Sequence, residues 1–225
     1  MLGKLSAQYE SDGNPAEVST GVGDAGGISY GKYQLASNVG SVDDFLEWGE
    51  CQTGFYKDYT DALLASGEIN SDGFIAKWRE IGSVDPTGFG KMQDDYFMYA
   101  YYGRAAELLE SNYFHMDNHS DALKEVVFSR AVQYGIGSKE RNTGVIGIFF
   151  DALDMMAERL GLDLPNLSYI DALRFDYDLI ACIYDVCMTT EWNSGALRES
   201  LNNRFVNEKA QALDMLMSEL KEKGY

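Results

Sequence analysis

The chain has 225 residues, of which 45% are hydrophobic and 24% are charged. These fractions are typical of a soluble globular chain that buries a core, and they exclude a disordered, a collagen-like or a disulfide-dense protein. Lysine and arginine number 18 against 36 acidic residues, so the formal net charge is −18, which repels phosphate backbones and anionic lipid surfaces. We therefore expect no nucleic-acid partner and no membrane insertion, whereas a cationic polymer would be attracted.

The first predicted element is a short helix over Leu2 to Tyr9, which ends at Glu10 because the run Ser11 to Pro15 breaks it. Residues 11–40 form a glycine-rich segment. Such a segment predicts loops and short strands, because glycine loses the most entropy in a helix interior. At its end, Ile28 to Leu35 alternates between apolar and polar residues, which predicts a short strand or hairpin arm.

From Val42 onward the apolar residues recur with a helical period, so residues 41–225 are predicted to form a helical lobe. Helices are predicted around 74–81, over Gly90 to Leu109, Asp121 to Tyr134 and Asn142 to Leu160, and around 168–187 and 195–221. The sequence therefore predicts a single domain over residues 1–225, of the α+β class but mainly α.

The N-terminus has no apolar signal core, and no stretch approaches the roughly 18 apolar residues of a membrane span. We therefore expect a protein that is made in the cytoplasm and then released or delivered by other machinery. The three cysteines, Cys51, Cys182 and Cys187, are too scattered for a disulfide framework and are predicted to be free thiols.

Two glycine-rich runs are similar to nucleotide-binding motifs. Gly21 to Gly26 fits the G-x-G-x-x-G pattern of dinucleotide sites, but more glycine follows where a helix must begin. Gly26 to Lys32 nearly forms a phosphate-binding loop, but Tyr33 stands where a serine or threonine must reach magnesium. We therefore expect no nucleotide cofactor.

Two other runs are similar to metal sites. Glu68 to Arg79 resembles half of a calcium loop, but a helix cap at Ser71 or Asp72 explains the same residues. His115 and His119 lie four residues apart, a spacing that suits metal binding on a helix, but their surroundings are typical of a loop. We expect no metal and no other cofactor.

Glu10 and Asp24 are candidates for an acid–base pair. At the end of a helix and beside Leu5 and Tyr9, the charged form of Glu10 is disfavoured by the helix dipole and by apolar neighbours. Asp24 lies between glycines, where it is solvated and therefore ionised. One protonated and one ionised carboxylate on opposite walls of a cleft are what glycosidic cleavage requires. The alternative for Glu10 is a solvated capping residue, since a chain with 36 acidic residues offers many such pairs.

The run Tyr9-Glu10-Ser11, followed by the run from Gly23 to Leu35 that contains Ser29-Tyr-Gly-Lys-Tyr-Gln34, resembles the start of lysozyme-superfamily peptidoglycan hydrolases. The similarity is greatest to chitosanase-like domains of bacteriophage endolysins, tail lysins and type VI secretion spike proteins. Residues 128–135 resemble the A-V-Q-x-G helix of that group, and residues 203–208 its closing R-x-x-x-E helix. The resemblance implies a lysozyme-like fold.

The resemblance also implies roles. Glu10 would protonate the glycosidic oxygen, Asp24 would activate water or stabilise the oxocarbenium ion, and Ser29 would help hold the attacking water. The substrate-binding residues implied by the resemblance are Tyr30, Tyr33, Gln34 and Gln133. Core packing explains Tyr33 equally well, and for Arg204, which could also support the cleft, the alternative is a buried salt bridge with Glu208.

In true chitosanases an arginine follows the catalytic aspartate by two residues, whereas this chain has Gly26, and the two acids of chitosanases lie farther apart in sequence. These differences argue against chitosan, and the resemblance is to enzymes that cut peptidoglycan, so the predicted substrate is the glycan strands of peptidoglycan, cut as by a muramidase. Chitosan or another amino-sugar polymer is the alternative, and a non-catalytic glycan-binding phage tail domain is the third hypothesis. The likeness to chitosanases favours inversion of configuration. We expect a monomer that acts on the bacterial cell wall, as part of a larger phage or secretion assembly.

Overall fold

The computed structural model describes residues 3, 5, 13–21 and 26–224. The chain divides into two compact units, one of residues 6–98 and the other of residues 99–225 with residues 1–5. Helices dominate and a two-stranded sheet lies near the N-terminus, so the predicted α+β, mainly α class is confirmed. This division falls after Met98 rather than near residue 40, and a single catalytic domain stays a prediction.

The sheet of the first unit is a hairpin of two short strands, β1 (Ser29–Tyr30) and β2 (Leu35–Ala36). The strands pair antiparallel, with Tyr30 opposite Leu35. Between them Gly31 has a φ of +74°, a left-handed conformation that glycine adopts without strain and that turns the chain back on itself. The predicted short strand or hairpin arm is therefore confirmed.

The helices of the first unit are α1 (Ser41–Glu50), α2 (Phe55–Ala65), α3 (Asp72–Val84) and α4 (Pro86–Phe97). Aromatic rings fill its core, with Trp78 at the centre: the Trp78 ring lies 5.1 Å from that of Tyr30 and 4.9 Å from that of Phe89. All three side chains are fully buried, and each such burial stabilises the fold by about 1.5–3 kcal/mol.

The loop before α3 is a helix cap. Ser71 has extended backbone, and its Oγ accepts a hydrogen bond from the backbone N–H of Phe74 at 3.2 Å. This bond satisfies one of the free N–H groups at the start of the helix. The capping interpretation of Glu68 to Arg79 is therefore confirmed.

The predicted helix over Gly90 to Leu109 differs from the structure in its start and its continuity. Helix α4 begins at Pro86, because proline is favoured at the first helical position and Asp85 caps the helix by accepting from Gly88 N–H at 2.8 Å. Residues Met98–Gly103 then form a π-helix. A wider turn of this kind is rare, and an analysis based on a period of 3.6 residues does not detect it.

The second unit is built from α5 (Arg104–Glu110), α6 (Asp121–Tyr134), α7 (Gly144–Leu160), α8 (Asp176–Cys187) and α9 (Arg198–Glu222). The predicted starts of α6 and α7 are confirmed. Ser120 caps α6 by accepting a hydrogen bond from Leu123 N–H at 3.1 Å, and α7 begins directly after Thr143.

The predicted helix around residues 168–187 is wrong in its first half. Two short 3-10 turns, Leu167–Ile170 and Leu173–Phe175, precede α8, which begins only at Asp176. Within the part of the chain that the structure describes, none of the helices has the length and apolar character needed to cross a membrane.

Candidate active site

Ser29, the predicted water-holding residue, is fixed by backbone bonds to the segment that precedes the glycine run. Its carbonyl accepts from Ser19 N–H at 2.9 Å, and its own N–H donates to Ser19 Oγ at 2.8 Å. Gly31 N–H donates to the carbonyl of Glu17 at 2.8 Å. Strand β1 is therefore held between residues 17–19 on one side and β2 on the other, which makes the position of Ser29 well defined.

The prediction that Tyr30 stacks on a sugar is wrong, because its side chain is fully buried. Its ring packs edge-on against Phe74, with 5.6 Å between centroids, and its hydroxyl donates to Asn70 Oδ1 at 3.0 Å. Burial raises the pKa of Tyr30 and outweighs the opposing effect of the Asn70 backbone, so the hydroxyl remains a neutral donor. Both residues of β1 are buried, Ser29 with 7% exposure and Tyr30 completely, and it is the ring of Tyr30 that packs into the aromatic core.

Tyr33 is also a packing residue, so the core-packing alternative is confirmed for it. The side chain is buried, and its ring lies 4.3 Å from that of Phe97. Its hydroxyl donates to Asp94 Oδ1 at 2.8 Å, and the same oxygen accepts from Lys32 Nζ at 2.5 Å. The carboxylate of Asp94 is itself buried, so this charge is balanced by a lysine from the hairpin turn.

Gln34 closes the hairpin turn. Its φ of +54° is left-handed, which is uncommon for a residue other than glycine, and its Nε2 donates to the carbonyl of Gly31 at 3.0 Å. The side chain is half-buried. The glycan contact assigned to Gln34 stays a prediction.

Sequence reasoning missed two neighbouring residues of α4, Gln93 and Asp94, which hold the hairpin in place. Gln93 is 1% exposed. Its Oε1 accepts from the backbone N–H of Lys32 at 2.8 Å, and its Nε2 donates to the carbonyl of Pro15 at 3.0 Å. Two adjacent polar residues in an amphipathic helix are normally solvated, so nothing in the local pattern distinguishes them.

Glu10 and Asp24 lie outside the described residues, as does most of the dinucleotide-like run, so the acid–base pair stays a prediction. Of the predicted N-terminal helix the structure describes only Gly3 and Leu5. Their N–H groups donate to Glu125 Oε2 at 3.0 and 3.4 Å, and the Leu5 side chain is buried in the core of the second unit.

Gln133 lies on α6 in the second unit, where it is half-buried. Within the described part of the chain its Oε1 is inaccessible to water and has no hydrogen-bond partner. Its role in substrate binding stays a prediction.

The salt bridge predicted for Arg204 is confirmed: its Nε lies 2.6 Å from Oε1 of the fully buried Glu208. Arg130 of α6 pairs with the other oxygen of the same carboxylate. The two segments that carried the downstream resemblance, 128–135 and 203–208, therefore meet at one buried carboxylate. This network joins α6 to α9 within the second unit, and the supporting role of Arg204 in a cleft stays a prediction.

His115 and His119 lie around a short 3-10 turn, Met116–Asn118, which confirms the predicted loop. Nδ1 of the buried His119 lies 2.6 Å from Asp176 Oδ1, and its Nε2 lies 3.2 Å from Asp171 Oδ1. Each ring nitrogen of His119 thus lies within hydrogen-bond distance of a carboxylate. The described residues contain no group of three or more ligands suited to a metal.

The fold is shared with chitosanases. The native chitosanase from Bacillus subtilis MY002 matches with a TM-score of 0.57 over 100% of this chain and 92% of that chain, at 15% identity. A chitosanase in a complex structure matches with a TM-score of 0.53 over 81% of this chain and 73% of that chain, at 16% identity. Such low identities show the fold alone, and the predicted lysozyme-like fold is confirmed.

The chain belongs to the family of C-terminal domains described as type VI secretion system spike protein VgrG3-like, which matches residues 2–209. It is 28% identical over 218 residues to the type VI secretion system spike protein VgrG3 of Vibrio cholerae serotype O1 (strain ATCC 39315 / El Tor Inaba N16961). The match covers 95% of this chain and 19% of that protein, so the chain spans about a fifth of its relative. The predicted likeness to spike-protein domains is confirmed, whereas these matches do not support the phage setting.

Proposed function

We propose that this chain is a glycoside hydrolase that cleaves the glycan strands of bacterial peptidoglycan by acid–base catalysis with two carboxylates. Glu10 is the general acid that protonates the glycosidic oxygen. Asp24 activates water on the opposite face of the sugar or stabilises the oxocarbenium ion, and Ser29 holds that water.

The observation that carries this proposal is the folded hairpin. The run Ser29 to Gln34, on which the resemblance to peptidoglycan hydrolases rests, forms a strand, a turn and the approach to a second strand in a chain that has the fold of chitosanases. Strand β1 is hydrogen-bonded on both sides, so Ser29 has the fixed backbone that a water-positioning group requires. Tyr30 and Tyr33 support this hairpin from the core.

Membership of the spike-protein family supports peptidoglycan as the substrate. A spike protein of a secretion system is a means of delivery, so we place the action of this domain at the cell wall, after transport by secretion machinery. Chitosan, or another amino-sugar polymer, is the second candidate, because both solved structures are chitosanases and a net charge of −18 attracts a cationic polymer.

The test is the clearing of purified cell walls by the wild-type chain, followed as a loss of turbidity. Replacing Glu10→Gln should reduce the rate by at least about 100-fold, because a general acid contributes about 10²- to 10⁴-fold. The control is Glu47→Gln, the same change at an exposed residue of α1, which should leave the rate unchanged.

Equal rates for the wild type and the Glu10→Gln variant would refute the acid–base assignment. Release of reducing ends from chitosan but not from peptidoglycan would favour the second candidate. Binding to glycan without any cleavage would indicate a non-catalytic glycan-binding domain.

A further inference from the structure

The side chain of Gln93 joins two segments that are far apart in the sequence. Its Oε1 accepts from Lys32 N–H and its Nε2 donates to the carbonyl of Pro15, with lengths of 2.8 and 3.0 Å. Only a group with an acceptor and a donor on one planar end makes both bonds, and a primary amide is such a group. At 1% exposure, water does not compete for either bond.

The two joined segments are those that carry the proposed chemistry. Pro15 follows Glu10 by five residues, and Lys32 follows Ser29 by three. A displacement of about 1 Å between a catalytic group and its substrate can cost about 10²-fold in rate. A bond that fixes the distance between these segments therefore acts on the reaction without touching the substrate.

Gly31 and Gln93 fit each other. A Cβ added at Gly31 would lie 2.4 Å from Oε1 and 2.8 Å from the amide carbon of Gln93. The glycine also has a φ of +74°, which other residues adopt only with strain. The turn of the hairpin is thus shaped to admit the amide.

We infer that Gln93 is a positioning residue of the glycan-cleaving site, which keeps the segment after Glu10 and the hairpin of Ser29 in one fixed arrangement. This inference rests on the proposed function. Gln93 acts through the backbone of both segments, at Lys32 and at Pro15, and takes no part in bond making.

The sharpest test is Gln93→Glu, because glutamate has the same shape and differs only in its protonation. Ionised, it places an oxygen against the carbonyl of Pro15, which repels it. Protonated, it donates to that carbonyl and accepts from Lys32 N–H, as glutamine does. The assay measures initial rates on soluble glycan fragments from pH 5 to pH 8, and expresses each variant's kcat as a ratio to that of the wild type at the same pH.

We expect this ratio to be about 0.01–0.1 at pH 8 and to rise towards 1 as the pH falls, with KM within about twofold of the wild type. Gln93→Met should have a low ratio at every pH, because it makes neither bond. Gly31→Ala displaces the amide and should behave in the same way. The matched control is Gln52→Glu, since Gln52 Nε2 also donates to a carbonyl, that of Trp48 at 3.1 Å, on the helix α1 rather than at the hairpin.

A ratio for Gln93→Glu that does not change with pH, or that Gln52→Glu reproduces, would overturn the inference and leave the proposed function intact. An effect on KM alone would overturn it as well. No cleavage by the folded wild-type chain would refute the proposed function, and with it the role of Gln93. Melting curves at each pH show that the variants are folded at the assay temperature.

Discussion

Replacing Glu208→Gln tests how strongly the folded second unit depends on the charge of this buried carboxylate. The Glu208 side chain is fully buried, its Oε1 lies 2.6 Å from Arg204 Nε, and its Oε2 pairs with Arg130. Two hydroxyls also donate to Oε2, those of Ser129 at 3.1 Å and Tyr184 at 3.2 Å. The carboxylate thus balances two guanidinium groups at once.

Glutamine keeps the shape of the side chain but removes its charge, which leaves the fully buried Arg130 without a carboxylate partner. Removing one member of a buried ion pair costs about 3–5 kcal/mol, because the charge that remains is not solvated. In a chain of about 150–250 residues, each kcal/mol shifts Tm by about 2–4 °C. We therefore expect Tm to fall by about 6–20 °C.

Thermal melts followed by circular dichroism measure this change, and urea titrations give the free energy of unfolding independently. The control is Asp61→Asn, which breaks the exposed pair that Asp61 makes with Lys57 at 2.7 Å. Exposed pairs contribute about 0.2–1 kcal/mol, so the control should melt close to the wild type. A Glu208→Gln variant that melts within about 2 °C of the Asp61→Asn control would refute the dependence of the folded second unit on the Glu208 charge.

Two further predictions concern titratable side chains. Hydrogen bonding to Asp171 raises the pKa of His115, so its stabilising effect is full below about pH 6.5 and is lost as the pH rises through the raised pKa. The Tm difference between the wild type and His115→Gln should accordingly shrink from pH 6 to pH 8, and a difference that grows would contradict this. Cys51 is exposed, whereas Cys182 and Cys187 are buried with their pKa raised by burial, so a thiol reagent should label one group quickly in the native chain and three after denaturation. Fast labelling that persists in Cys51→Ser would show the buried assignment to be wrong.

The sequence predicted the starts of α3 and α6 from short-range signals. Ser71 and Ser120 accept hydrogen bonds from an N–H group three residues ahead, so the cap and the helix it begins lie within one turn of sequence. The start of α4 carries a signal of the same kind, Asp85 followed by Pro86, and the predicted start at Gly90 missed it. Local signals are therefore present at all three helix starts, but the prediction used them at only two.

The burial of Tyr30 could not be predicted from local sequence signals. An alternating pattern shows that neighbouring residues face opposite sides, but a strand of two residues is too short to show which side is the core. The resemblance identified the motif but did not show which of its side chains point into the core. Tyr30 is buried by its contact with the ring of Trp78, which lies 48 residues later in the chain.

The bonds that hold the hairpin in place span 61 and 78 residues, from Gln93 to Lys32 and to Pro15. The residues around Gln93 do not indicate these bonds, because a polar residue on a helix is normally solvated. The sequence signal lies instead at Gly31, because a single glycine in an alternating strand pattern indicates that another group approaches its backbone closely. The space of its missing Cβ is occupied by the amide of Gln93, so Gly31 is a sequence feature from which the close approach of another group could have been predicted.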